Sequence, residues 1–181
     1  MITRVGCAGA AENVATTTPA VVEKVAEVVT NPLGKVNDVA LGALDKINFA
    51  AGSVGSQMMA FIKGGAEGEG RFRFNNLNFA SGSAVIDGES GVEVDNLASI
   101  LKAYTDVKVA IEGYTDSQGN ADSNLNLSQQ RADAVSSRLL NAGITADRMS
   151  TIGFGAANPI GDNTTPEGRA ENRRIELVIT K

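Results

Sequence analysis

Two opposite charges stand at a predicted corner of the chain, where a strand is followed by a helix. The segment Val107–Gly113 alternates as a strand, and Asp116 lies just beyond its carboxyl end. Arg131 lies about two turns into the next predicted helix. A strand–loop–helix return brings such positions close together. The two side chains then either pair with each other or stand apart and bind a zwitterion, the guanidinium taking a carboxylate and Asp116 an ammonium. The residues alone leave both alternatives open.

Composition excludes several classes of chemistry. The chain has 181 residues, no histidine and one cysteine. It therefore has no histidine-containing metal site, no internal disulfide and no Ser-His or Cys-His catalysis, and Ser128 in particular has no histidine to activate it. No glycine-rich phosphate-binding motif is present either. We expect a protein that is not an enzyme and that carries no cofactor or metal. A formal charge of −5 also argues against nucleic acid as a partner.

The elements that must position this pair lie in the second part of the chain. Apolar residues there alternate with strand and helix periods, and the order from residue 71 onward is β-α-β-α-β-(short α)-β. Helices between strands predict an α+β domain in which the helices pack on one mixed sheet. The predicted elements are a strand from Arg71 to Phe79, a helix over Glu89–Tyr104, the strand Val107–Gly113, a long helix capped by Asp122 or Ser123 and ended by Gly143, a strand over Arg148–Phe154, a short helix opened by Thr165-Pro166 and a strand over Arg174–Thr180.

The first 70 residues have a different composition. Residues 1–45 are predicted to hold two short amphipathic helices, one opened by Thr18-Pro19 and one over Val36–Leu44. They form either a spacer or a helix that pairs with a second copy or another protein, which makes a homo-oligomer an open alternative. Residues 46–70 are predicted to be a short apolar unit ending in the glycine-rich stretch Gly64–Gly70. We place the boundary of the main domain, 71–181, at that stretch.

A series of short motifs in residues 71–181 resembles the OmpA-like peptidoglycan-binding domain. That family includes the carboxy-terminal domain of OmpA, the peptidoglycan-associated lipoprotein and the periplasmic part of MotB. Each motif alone is weak, but the series occurs in order and at natural spacing. The motifs are Gly113-Tyr114-Thr115-Asp116, Asn124-x-x-x-Ser128-x-x-Arg131-Ala132, Gly143-Ile144, Gly153-Phe154-Gly155, Asn158-Pro159 and the closing run Gly168-Arg169-Ala170-Glu171-Asn172-Arg173-Arg174.

The resemblance implies non-covalent binding of the cell wall through the diaminopimelate of the stem peptide. Asp116 and Arg131 match the family's ligand-binding pair, and the resemblance makes four further residues part of the site: Thr115, Asn124, Asn172 and Arg173. It also implies an envelope location, in the periplasm and associated with the outer membrane. The alternative is an envelope protein–protein interaction module that does not bind the wall. One departure is Ala80, at a position where family members commonly carry Asp. Backbone N–H groups of the following loop are then the expected contacts.

The run Val5-Gly6-Cys7-Ala8-Gly9 resembles the end of a lipoprotein signal, in which the cysteine becomes lipidated. Arg4 departs from the pattern of such signals, and the hydrophobic stretch that usually precedes the cysteine is not found before Cys7. Cys7 is therefore a candidate lipidation site, with an incidental thiol as the alternative. If Cys7 is lipidated, we expect the residues after it to tether the outer membrane to the wall-binding domain.

Overall fold

The computed structural model describes residues 30–31, 34–35, 37–64, 68–75, 77–80, 82–88 and 90–180. Cys7 and the helix predicted after Thr18-Pro19 lie outside these residues. The elements are β1 (Thr30–Asn31), β2 (Gly34–Lys35), α1 (Asp38–Leu44), α2 (Val54–Lys63), β3 (Gly70–Arg73), α3 (Gly91–Ala103), β4 (Lys108–Gly113), α4 (Ala121–Asn141), a 3-10 turn (Ala146–Arg148), β5 (Met149–Gly153), α5 (Pro166–Asn172) and β6 (Ile175–Thr180).

A four-stranded mixed sheet in the order β3-β6-β4-β5 organises the domain. β6 is antiparallel to both β3 and β4, whereas β4 and β5 are parallel. The parallel pair needs a crossover, and α4 supplies it. In β6, Ile175, Leu177 and Ile179 join the hydrophobic core, as the period of two requires. The predicted α+β class and the order from residue 71 onward are confirmed.

The first strand of the domain is shorter than predicted. β3 ends at Arg73 because its partner β6 begins at Ile175. The Phe74 N–H still donates to the Ile175 carbonyl over 3.1 Å. Beyond this point the chain leaves the sheet, and Phe79 makes an isolated antiparallel bridge with Ile86. The predicted strand from Arg71 to Phe79 is therefore a strand followed by a separate loop that bends back over the helices.

The long helix α4 has a different N-cap from the predicted one. The Asn120 side chain accepts hydrogen bonds from the N–H groups of Asp122 and Ser123, the two residues predicted as caps. The helix then buries one stripe, which contains Ser128, Arg131, Ala132, Val135 and Leu139. Since Arg131 belongs to this inward stripe, its side chain lies under neighbouring loops. The prediction for α5 is confirmed, since the Thr165 side chain caps it and Pro166 is its first residue.

The hydrophobic core extends beyond the glycine-rich stretch predicted as a domain boundary. Met58 and Ile62 of α2 are fully buried in the same core cluster as α3 and the sheet, and Leu44 of α1 joins them. Glu93 of α3 also accepts a hydrogen bond from the Val54 N–H over 2.9 Å, at the start of α2. Helices α1 and α2 therefore pack into the core of the domain whose start the sequence predicts at residue 71. Among the described residues, no helix has the length and apolar character needed to cross a membrane.

Candidate functional site

The loop after β4 carries Asp116 and is fixed by neighbours on both sides. The Tyr114 N–H donates to the Arg174 carbonyl over 2.9 Å, and the Thr115 N–H donates to the Gly155 carbonyl over 2.8 Å. On the far side, Asn124 of α4 donates from its amide to the carbonyls of Asp116 and Gln118 over 3.3 and 2.8 Å. These bonds hold the loop rigid before any ligand arrives, which lowers the entropic cost of binding.

The Asp116 carboxylate binds a different arginine from the one expected. Its Oδ2 accepts a hydrogen bond from Arg173 Nη1 over 2.7 Å, and its Oδ1 accepts from the Gln118 N–H over 3.0 Å. The carboxylate is nearly buried, with 12% of its side chain exposed. Of the two alternatives left open by the sequence, direct pairing of Asp116 with Arg131 does not occur among the described ion pairs.

Arg131 stands apart on α4 and is 6% exposed. Its guanidinium lies 5.0 Å from the centroid of the Phe79 ring, and its Nε donates to the Ser83 carbonyl over 2.9 Å. Burial lowers the pKa of Arg131, and repulsion by Arg173 lowers it further, while attraction by Asp116 acts in the opposite direction. The ring and the carbonyl orient the guanidinium. Its two terminal nitrogens donate no hydrogen bond to the residues that the structure describes, and their geometry suits a planar anion.

The loop after Phe79 contributes to the cavity through its backbone. Gly82 has φ +67°, a left-handed conformation that favours glycine, and it lines the cavity. The Ser83 carbonyl accepts from Arg131 Nε and so orients a cation of the site. Contact of the loop's N–H groups with a ligand stays a prediction.

These residues surround an open cavity of about 460 Å³. It lies between the loop after β4, the first turns of α4, the end of α5 and the loop around Gly82. A cavity of this size accommodates an amino-acid side chain with its charged end groups. The lining residues are Phe79, Gly82, Thr115, Asp116, Gln118, Asn124, Leu127, Arg131 and Arg173.

Comparison with known proteins identifies the family of this domain. The OmpA family matches residues 78–173, more than half of the chain, and that range contains all the described residues that line the cavity. The chain belongs to the OmpA family. The predicted resemblance is thereby confirmed.

Relatives within the OmpA family match the same part of the chain. The probable lipoprotein YiaD of Escherichia coli is 45% identical over 106 residues, which cover 59% of this chain and 48% of that protein. The peptidoglycan-binding protein ArfA of Mycobacterium tuberculosis is 40% identical over 111 residues, 57% of this chain and 34% of that protein. The match thus spans about half of one relative and about a third of the other.

Solved structures agree with the OmpA-family fold. The peptidoglycan-associated lipoprotein from Burkholderia pseudomallei has a TM-score of 0.55 at 28% identity, over 57% of this chain and 88% of that one. A putative MotB-like protein from Desulfovibrio vulgaris has a TM-score of 0.58 at 23% identity, over 79% and 94% of the two chains. The second likeness shows the fold alone.

Within this OmpA-family site, Thr115 has an unusual environment. Thr115 is 5% exposed. Among the buried side-chain oxygen and nitrogen atoms of the described residues, only Thr115 Oγ1 has no hydrogen-bond partner. A buried hydroxyl without a partner destabilises the fold by about 1–3 kcal/mol. Since Thr115 also lines the cavity, a polar group of a ligand is well placed to satisfy it.

Asn172 does not line the cavity, although the resemblance made it a site residue. It is fully buried, and its Oδ1 accepts from the N–H groups of Ile160 and Gly161 over 2.7 and 2.9 Å. Its Nδ2 donates to the Gly161 carbonyl and to Asn163 Oδ1, each over 2.9 Å. Asn163 in turn accepts from the Ser117 N–H over 3.1 Å. Asn172 therefore supports the Asp116 loop through Asn163, and its contact with a ligand stays a prediction.

Close packing of α4 on the sheet explains two glycines of the motifs. A Cβ on Gly113 would overlap the Ser128 carbonyl, and one on Gly153 would lie 2.7 Å from Ser128 Oγ. Ser128 Oγ itself donates to the Leu125 carbonyl and accepts from the Gly155 N–H. The glycines thus let the start of α4 approach β4 and β5, which brings Arg131 over the end of the sheet.

The sequence did not reveal a second polar cluster, on the opposite face of the sheet. Arg71 bonds both Glu112 and Glu176, and Arg174 Nε donates to Glu176 Oε1 over 2.6 Å. Burial acts to raise the pKa of Glu176, but the bonds from Arg174 and Arg71 outweigh it and lower that pKa. Arg174 and Glu176 are both buried. Cross-strand pairing of Glu112 with Glu176 places the two carboxylates around a shared arginine.

Proposed function

We propose that this protein binds peptidoglycan non-covalently through the diaminopimelate of the stem peptide. The observation that carries the proposal is that Asp116 and Arg131 line one cavity without pairing with each other. An acid and a base held apart in a partly desolvated site are complementary to a zwitterion. The far end of the diaminopimelate side chain is such a group, with a carboxylate and an ammonium on one carbon.

Each end of the zwitterion has a partner in the cavity. The terminal nitrogens of Arg131 match a carboxylate in a two-pronged hydrogen bond. Asp116 accepts one hydrogen bond on each oxygen, and a carboxylate offers about four acceptor positions, so it has capacity for an ammonium as well. Thr115 Oγ1 supplies one further hydrogen bond beside it. A lysine side chain lacks the carboxylate and would leave the Arg131 guanidinium buried without an anion.

The relatives support the same proposal. ArfA is named as a peptidoglycan-binding protein, and a solved structural neighbour is a peptidoglycan-associated lipoprotein. Other relatives are named as a probable lipoprotein and as outer membrane porin F. We infer that this chain acts in the cell envelope, in the periplasm and associated with the outer membrane, as a binding protein rather than an enzyme. Lipidation of Cys7 and self-association through the first 45 residues remain predictions.

Co-sedimentation with purified cell wall tests the proposal. We expect the wild-type protein to pellet with diaminopimelate-type peptidoglycan and to stay in solution with lysine-type peptidoglycan. The Asp116→Asn and Arg131→Gln variants should stay in solution with both. Arg138→Gln is the matched control, because Arg138 lies on the same helix but pairs with Asp95, away from the cavity. Wild-type protein that pellets with neither wall would instead favour the alternative of a protein–protein interaction module.

A further inference from the structure

The charges of the described residues that line the cavity do not balance. Of these nine residues, Arg131 and Arg173 are cationic and Asp116 is anionic, so together they carry a formal charge of +1. The chain as a whole carries −5. A neutral zwitterion would satisfy one arginine and the aspartate and would leave the second arginine without an anion from the ligand. The cavity therefore has the charge to accommodate one more negative group.

Arg173 is the cation that a zwitterion leaves unmatched. Its Nη1 binds Asp116, yet 45% of the side chain remains exposed, compared with 12% for Asp116. A guanidinium has five N–H donors, so one bond to Asp116 leaves several for a ligand. The positive charge of Arg173 also repels that of Arg131, and this repulsion contributes to the lowered pKa of Arg131. A second anion near Arg173 would relieve this repulsion between the two arginines.

We propose that Arg173 is a specificity residue that selects ligands with a second carboxylate beside the zwitterionic end over ligands that present the zwitterion alone. This inference rests on the proposed function and names a finer feature of the ligand. Arg131 binds the carboxylate of the zwitterionic end, Asp116 binds its ammonium, and Arg173 binds the second carboxylate. The described lining residues and these three ligand groups together are electrically neutral.

A stem peptide offers two sources of the second carboxylate. One is the other carboxylate of diaminopimelate, which is free when the peptide ends at that residue. The other is the free carboxylate of the neighbouring D-glutamate, which is linked to diaminopimelate through its side chain. Both present the same chemistry to Arg173, and amidating one at a time distinguishes them.

Isothermal titration with three synthetic peptides tests the inference. The parent is L-Ala-γ-D-Glu-meso-diaminopimelate, and the other two carry a single amide, at either the D-glutamate carboxylate or the terminal carboxylate next to the peptide bond. We expect wild-type protein to bind one of the amides more weakly than the parent, and the amide that loses affinity identifies the source. The loss should be about three- to tenfold, because a half-exposed ion pair contributes modestly.

Variants of Arg173 decide the role of its charge. The Arg173→Gln variant should bind the parent peptide and the sensitive amide equally. The Arg173→Lys variant should still bind the parent more tightly than that amide. Melting temperatures check that each variant is folded. Equal binding of all three peptides by the wild type would overturn the inference. Tighter binding of the parent by Arg173→Gln would also overturn it, since Arg173 would then only compete with the ligand for Asp116. Wild-type protein that binds no peptide would contradict the proposed function itself.

Discussion

The Asp116 carboxylate is held by Arg173 at the end of α5, over 2.7 Å, and not by Arg131 on the adjacent helix α4. Arg131 lies in the same cavity, but Phe79 and the Ser83 carbonyl orient it instead. The anion of the site is thus fixed without neutralising the buried cation. This separation leaves a buried guanidinium that has no carboxylate partner among the described residues, the arrangement that a ligand carboxylate would complete.

Removing the Arg131 guanidinium should strongly weaken ligand binding. We expect Arg131→Ala to weaken binding of a diaminopimelate peptide by about 2–5 kcal/mol, because the ligand carboxylate would lose its charged partner in a desolvated site. Arg131→Lys should restore only part of the affinity, since an ammonium cannot form the two-pronged bond. Isothermal titration measures both. Wild-type affinity in Arg131→Ala would show that the ligand binds elsewhere.

Adding a methyl group at Gly113 should destabilise the fold. The Cβ of Gly113→Ala would overlap the Ser128 carbonyl, so α4 must move away from β4. Overpacking of this kind costs about 1–3 kcal/mol or more in the free energy of unfolding. Gly42→Ala is the control, because a Cβ there meets nothing within 4 Å and alanine favours a helix. Denaturant titration should show a large loss for the first variant and none for the second.

Helix α2 should contribute to the stability of the whole domain. Met58 is fully buried, and Met58→Ala should lower the free energy of unfolding by about 2–5 kcal/mol. Val39 of α1 is 76% exposed, so Val39→Ala should change it by less than about 0.5 kcal/mol. Chemical denaturation of both variants gives the comparison. If Met58→Ala were as stable as Val39→Ala, α2 would not belong to the domain core.

Tyr114 should lose its phenolic proton at a higher pH than an ordinary tyrosine. Burial and then its hydrogen bond to Glu112, over 2.7 Å, raise the pKa of Tyr114 to about 12 from an ordinary value of 10.0. A phenol whose pKa is raised by folding contributes its full stabilisation below pH 10 and loses it as the pH rises towards 12. Ultraviolet titration of tyrosinate should therefore show a higher midpoint in native than in denatured protein. Tyr114→Phe should remove the later of the two tyrosine steps, and a single step shared by native and denatured wild type would contradict the assignment.

The order of elements from residue 71 onward was predictable because periodicity and capping are local properties. Thr165 and Pro166 mark the start of α5 in any context, and alternation marks β4 and β6. The same reasoning brought Asp116 and Arg131 to one corner. The prediction was less accurate at Asn120. Three polar residues within four positions, Asn120, Asp122 and Ser123, were each able to cap α4, and only the path of the chain selects one of them.

Features that depend on distant parts of the chain were not predictable. The bond from Arg173 to Asp116 joins residues 57 positions apart in the sequence, and it exists because β6 lies beside β4. The burial of Met58 likewise depends on the surface that α3 presents to α2. Asn172 has the residue type of a ligand contact, but its amide is fully engaged by the segment 160–163. The residue type shows which hydrogen-bond donors and acceptors a side chain has, whereas the fold determines which partners they bind.

The most direct test of the central claim is a nuclear magnetic resonance titration of labelled protein with meso-diaminopimelate. We expect chemical-shift changes at the Arg131 Nε–H and at the backbone N–H groups of Gly82 and Thr115, with no change at Arg138. The Asp116→Asn variant should suppress these changes. Shift changes confined to the cluster around Arg71 and Glu112, or peptidoglycan binding with no change at Arg131, would contradict the assignment of this cavity as the binding site.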